Sequence, residues 1–209
     1  MPIVTYALIA ANVGVYLYQE SLGPAFESFI ELHGLVPRRF VASWWTDASP
    51  LFTSMFLHGG WLHLIGNLLY LHIFGDNVED RLGHARYLIL YVVAGATAGM
   101  AQVLFHPTAS IPMVGASGAI AGVTGAYFLF YPRARVVTLV PIFLFVQVVE
   151  IPAFFFLLFW FAFQLLLGLG SVGQAMAGGV AFWAHIGGFV AGMILGPLLV
   201  PRSRVRPAW

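Results

Sequence analysis

Six stretches of this chain, at about 3–18, 61–74, 86–105, 117–131, 153–170 and 180–200, are too long and too apolar for the surface of a water-soluble protein. A hydrocarbon core of about 30 Å takes roughly 20 helical residues, and fewer where polar ends reach the interface. Inside it every backbone N–H and C=O must find a partner, which favours helices whose bonds close within the segment. The expected fold is therefore all-α: a polytopic membrane protein in which six transmembrane helices form one domain over residues 1–209. Composition agrees, since 60% of the residues are apolar and only 8% are charged, too few to cover a soluble surface of this size. No cysteine is present, which removes disulfides, thiolate zinc sites and cysteine nucleophiles. The nine bases form no basic block, so no nucleic-acid partner is expected. The first stretch has no Lys or Arg ahead of its apolar run and reads as a retained span, not a secretory leader.

Arginine placement orients the spans. With six helices, Arg81, Arg86, Arg133, Arg135, Arg202, Arg204 and Arg206 share one side, and Arg38 and Arg39 lie opposite. The positive-inside rule then puts both termini in the cytoplasm. Residues 19–57 form a long outer loop lying at the membrane interface, where Trp44 and Trp45 suit the headgroup zone. The loops 106–116 and 171–179 also face outward, and the polar segment GDNVEDRLGHAR reads as a short turn between spans two and three. Pro141 and Pro152 divide the apolar run that follows span four, so 136–151 is expected to be interfacial or partly embedded.

Polar side chains kept within apolar spans are costly and mark candidate sites. Here they are His58, His63, Asn67, Ser117, Glu150 and His185. Each alone also fits hydrogen-bonding glue between helices. Ser117 lies between Gly115 and Gly118 at the start of a helical run, where unpaired N–H groups collect and can stabilise an oxyanion. The 15 residues from Ser117 to Tyr131 span about 22 Å, less than the hydrocarbon core, so the serine sits below the outer surface and the loop before it dips inward. A serine needs a base, and His185 near the outer end of span six is the best candidate. Gly188, Gly192 and Gly196 follow it at four-residue spacing, with His185 within about 60° of the first two around the helix. That surface and the small residues Gly118, Ala121, Gly122 and Gly125 of span four allow close packing that brings serine and histidine together. His63 and Asn67, one turn apart in span two, share a face and can both donate to a developing negative oxygen. His58 reads as a strut for the neighbouring loop.

These patterns, GASG on span four, HGGWLHLIGN on span two and AHIGG on span six, together resemble the rhomboid family of intramembrane serine proteases. The resemblance covers nearly the whole chain and includes FGDNVEDRLG after span two. It implies a bundle like the basic bacterial six-helix form, in a bacterial inner membrane, cleaving single-pass transmembrane protein substrates near the outer interface. It implies Ser117 as nucleophile, His185 as general base and then acid, and His63 with Asn67 and the Ser117 N–H as the oxyanion site. Gly115, Gly118, His58 and Gly188 support that site, and no cofactor or metal is called for. Two positions depart from the family pattern. Trp44-Trp45-Thr46 lacks the arginine often found in the outer loop, and Ala121 replaces an aromatic residue that supports the histidine in some members. With no third acidic residue evident, the expectation is a dyad oriented by packing.

Other readings meet specific obstacles. A zinc site from His58, His63 and His185 lacks the HExxH spacing, and an aspartyl site lacks paired membrane aspartates. A transporter reading would make Glu150 an ion site, although its position between two prolines suits an interfacial residue. The nearest alternative is an inactive rhomboid-like protein that binds membrane helices for quality control. The sequence leaves the oligomeric state open.

Overall fold

The computed structural model describes residues 1–142, 145–171 and 180–201. The expected loop 171–179 therefore lies almost wholly outside the described residues, as do Arg202, Arg204 and Arg206. The architecture is a mostly helical bundle: α1 (Ile3–Ser21), α5 (Trp61–Leu82), α6 (His84–Phe105), α7 (Ser117–Phe130), α8 (Ala153–Ser171) and α9 (Phe182–Leu199). Short helices α2 (Phe26–His33), α3 (Pro37–Ser43) and α4 (Pro50–Thr53) lie in the long connection between α1 and α5. Helices α6, α8 and α9 are long and apolar enough to cross a bilayer, and α7 is apolar but shorter. Large apolar side chains point outward, among them Phe159 at 76% and Leu62 at 88% exposure. Such a surface is stable against lipid and not against water. The protein is a multi-pass membrane protein.

Helix α7 is the centre of the bundle. Residues 118–127 are all buried, because Gly118, Ala119, Ala121, Gly122, Gly125 and Ala126 let neighbours approach from every side. Gly188 and Gly192 of α9 press directly on α7: a methyl group on either would collide with the carbonyl oxygen of Gly118 or Gly122. A methyl on Gly125 would likewise strike the carbonyl of Phe189. Backbone-to-backbone contact of this kind holds helices together where lipid removes the hydrophobic drive for association.

The expected turn after span two is instead helix. Helix α5 continues through GDNVEDRL and stops only at Gly83, whose positive φ of 82° ends it. The acidic segment is held by the start of α1. The Glu79 carboxylate accepts from the Val4 and Thr5 N–H groups, each at 2.8 Å, and from the Thr5 hydroxyl at 2.7 Å. It thereby caps the orphan donors at that helix start and meets the positive end of its dipole. His84 completes the cluster at 2.5 Å.

The mostly helical bundle carries one further element, in the segment 136–151 expected to be interfacial or partly embedded. This segment is an antiparallel hairpin, β1 (Arg135–Ile142) paired with β2 (Phe145–Pro152), in register from Arg135↔Pro152 to Ile142↔Phe145. Its valines and threonine favour a pleated backbone, and its prolines sit where a two-stranded edge tolerates a missing donor. The hairpin base is tied to α8 by Ala153 N–H to Ala134 O at 2.7 Å and Phe154 N–H to Pro132 O at 3.1 Å.

Candidate active site

Ser117 is the first residue of α7, entered through Ala116 after Gly115, whose φ is +119°. That left-handed conformation favours glycine, and space demands it too. A methyl on Gly115 would lie 2.6 Å from His63 Nε2 and 3.5 Å from Asn67 Nδ2. The imidazole and the carboxamide of α5 thus converge on the backbone just before Ser117. Ile120 N–H is the first in this helix to bond back, to Ala116 O, so the Ser117, Gly118 and Ala119 donors precede the helical ladder. Helix α7 has 14 residues, about 21 Å of rise, and is shorter than the neighbouring α6 and α9.

The segment leading to Ser117 is clamped from outside. Leu35 and Met113 exchange both backbone hydrogen bonds at 3.0 and 2.8 Å, Arg38 N–H donates to Ala109 O, and Gly115 N–H donates to Ser54 O. Arg39 spreads its guanidinium over the carbonyls of Glu31, Leu32 and Gly34 at 2.6 to 3.0 Å, closing the end of α2. This network anchors the outer loop without an arginine beside Trp45, while Trp44 and Trp45 remain exposed.

His185, on the first turn of α9, places Nε2 2.8 Å from Ser117 Oγ. Gly188 and Gly118 make the meeting possible by letting the two helix backbones touch. The other ring nitrogen, Nδ1, lies 2.8 Å from Gln164 Oε1 on α8, and the Trp160 ring, also from α8, stands 5.8 Å away at 38°. The histidine, expected to be oriented by packing, is held by this buried amide as well as by the Trp160 ring. With the lone pair of Nε2 turned to the serine, the Nδ1 proton donates to Gln164. Sequence reasoning missed this residue, although the same rule that found Ser117 applies to it, since Gln164 is the one amide in an otherwise apolar helix.

His58 lies close to the site but acts through its backbone. Gln19 of α1 receives its N–H at 3.0 Å and donates to its carbonyl at 3.1 Å, while the ring packs edge-on against His63 at 5.1 Å. Glu150 lies away from the site, on β2, paired with Arg135 at 3.3 Å. Among the described residues no three histidine or carboxylate side chains converge, so His58, His63 and His185 do not form a metal-ligand set. Ser117, His185, His63 and Asn67 all line one cavity of about 630 Å³, whose remaining wall is largely apolar and includes Trp160, Met113 and Val180.

The Rhomboid domain family matches residues 42–202, more than three quarters of the chain and every residue of this cavity but Glu27 and Ile30. The chain belongs to the rhomboid family. Among curated rhomboid relatives, it is 30% identical to Rhomboid protein 1, mitochondrial, of Saccharomyces cerevisiae over 91% of this chain and 51% of that protein. It is 31% identical to RHOMBOID-like protein 4 of Arabidopsis thaliana over 87% of this chain and 41% of that one. With Rhomboid protease GluP of Bacillus subtilis it shares 34% identity over 60% of this chain and 24% of the relative. The chain thus spans about half, or less, of the length of these rhomboid relatives.

Proposed function

We propose that this protein is an intramembrane serine endopeptidase that hydrolyses a peptide bond of single-pass transmembrane proteins near the outer membrane interface. The observation that carries the reading is the 2.8 Å approach of His185 Nε2 to Ser117 Oγ at a helix N-terminus inside a cavity. His185 takes the hydroxyl proton as Oγ attacks the scissile carbonyl, then delivers it to the leaving amine. The tetrahedral oxyanion forms beside the first N–H of α7, with His63 and Asn67 of α5 supplying further donors. Water entering from the outer side then attacks the acyl-enzyme, with His185 again as base. Gln164 holds the ring in the tautomer that each step needs and continues to accept from Nδ1 once the ring is charged.

We assign six membrane spans to α1, α5, α6, α7, α8 and α9 within one domain. We assign the end that carries the arginines at 81, 86, 133 and 135, with both termini, to the cytoplasmic side of a bacterial inner membrane, a reading that the positive-inside rule supports for the orientation. A substrate helix hides its carbonyls in backbone hydrogen bonds, so residues with weak helix propensity are expected at the cut.

The test is reconstitution with a single-pass substrate followed by mapping of the new termini. Cleavage within a few residues of the outer interface, absent in Ser117→Ala, is the expected result. Substrate that binds the wild-type protein and remains intact would identify the non-proteolytic, helix-binding alternative.

A further inference from the structure

Both faces of the hairpin carry exposed apolar side chains, but they meet different surroundings. In an antiparallel pair, residues directly opposite share a side. The register puts Leu139 with Val148 and Val137 with Glu150 on one face, and Thr138 with Val149 and Val140 with Gln147 on the other. On the first face Val137, Leu139, Val146 and Val148 are 63–68% exposed, and charge appears only at the base, as Arg135 and Glu150. The second face carries Thr138 and Gln147 beside the exposed Phe145 and Val149, and turns Val136 into the bundle core. A lone two-stranded hairpin is marginal in water, and four bare aliphatic side chains on one side make water a poor solvent for it. Its open edges equally forbid deep insertion, because unpaired N–H and C=O groups are not tolerated in hydrocarbon. The position that satisfies both constraints is at the membrane surface, with the first face, which Val136 does not tie to the bundle, turned toward lipid.

The base of the hairpin shows what meets it there. Arg135 and Pro152, which open the aliphatic face, enclose a surface hollow of about 530 Å³ together with Pro132, Arg133, Phe154 and Phe155. Phe155 is 61% exposed and begins the outward apolar surface of α8, so the hairpin face and that surface are continuous. Two arginines and two phenylalanines lining one hollow match a phosphate joined to an acyl chain. The Arg135–Glu150 pair has side chains 69% and 56% exposed, and a pair so open holds Arg135 only weakly.

We propose that the hairpin and this hollow form a phospholipid-docking surface on the arginine-rich end of the protein. The lipid phosphate lies against Arg133 and Arg135, and acyl chains run along Phe154, Phe155 and the aliphatic face of the hairpin. The seat fixes how α8, the helix that carries Gln164, enters the membrane, and it does not depend on the protein being an active protease.

The absence of cysteine makes the test direct. Single cysteines at Leu139 and Val148, and on the other face at Thr138 and Gln147, are spin-labelled in vesicles of phosphatidylcholine and phosphatidylglycerol. Labels at 139 and 148 should collide with oxygen in preference to a water-soluble nickel chelate, with the reverse at 138 and 147. In parallel, Arg133→Gln and Arg135→Gln should each lower the phosphatidylglycerol retained through purification by about five-fold, leaving phosphatidylcholine unchanged. Equal access of the nickel chelate to both faces would overturn the proposal. So would spin–spin broadening at 139 and 148 that disappears on dilution with unlabelled protein, since a second copy would then cover the face. Unchanged phosphatidylglycerol retention in both arginine variants would overturn the phosphate seat.

Discussion

Replacing Gln164 with leucine removes the acceptor from His185 Nδ1 while keeping a side chain of similar length on an apolar helix. The bond spans 2.8 Å between a neutral ring and a neutral amide in the resting site, where it contributes about 1 kcal/mol. When the ring takes the serine proton, the same bond becomes charge-assisted and contributes about 1.5–3 kcal/mol. Only the increase between the two states accelerates the reaction. The loss in Gln164→Leu is therefore roughly 0.5–2 kcal/mol, a fall in kcat of about two- to thirty-fold with KM little changed. The assay is initial-rate cleavage of a single-pass substrate in proteoliposomes, with thermal unfolding in detergent to confirm that the variant is folded. Gln164→Glu keeps an acceptor oxygen and should recover most of the rate, which a purely space-filling role would not require. Wild-type kcat in Gln164→Leu, or a Gln164→Glu variant as slow as the leucine one, would refute the role assigned to the amide.

Gly192→Ala should lower stability by about 3 kcal/mol, because its methyl collides with the Gly122 carbonyl and α7 has no slack to move. Gly14→Ala is the matched control: nothing lies within 4 Å of the added carbon, so helix propensity should stabilise α1 by up to about 1 kcal/mol. Thermal unfolding in one detergent separates the two. Glu79→Gln replaces a carboxylate that takes both N–H donors at the start of α1, and should cost about 2 kcal/mol by the same measurement.

Much of the site was legible because membranes make polarity expensive. Ser117, His185, His63 and Asn67 stand out as polar groups in apolar runs, and the glycine spacing of span six anticipates the contact between α9 and α7. Gln164 obeys the same rule but lies in FAFQLLL, without the close glycines that set Asn67, Ser117 and His185 apart. The acidic segment after span two resembles a loop in its charges, and the partner of Glu79, the start of α1, lies about 75 residues away in sequence. The hairpin escaped because an apolar run of valines broken by prolines has no helical or alternating period to reveal it. Which residues share a face with Arg135 follows only from the strand register.

The central claim is that His185 activates Ser117 as a nucleophile. A fluorophosphonate that phosphonylates activated serines, followed by peptide mass mapping of the detergent-purified protein, tests it without knowledge of any substrate. The account predicts one adduct, on Ser117, absent in Ser117→Ala and His185→Ala variants that unfold at the wild-type temperature. A folded wild-type protein that takes no adduct at Ser117, or that takes it equally well without His185, would contradict it.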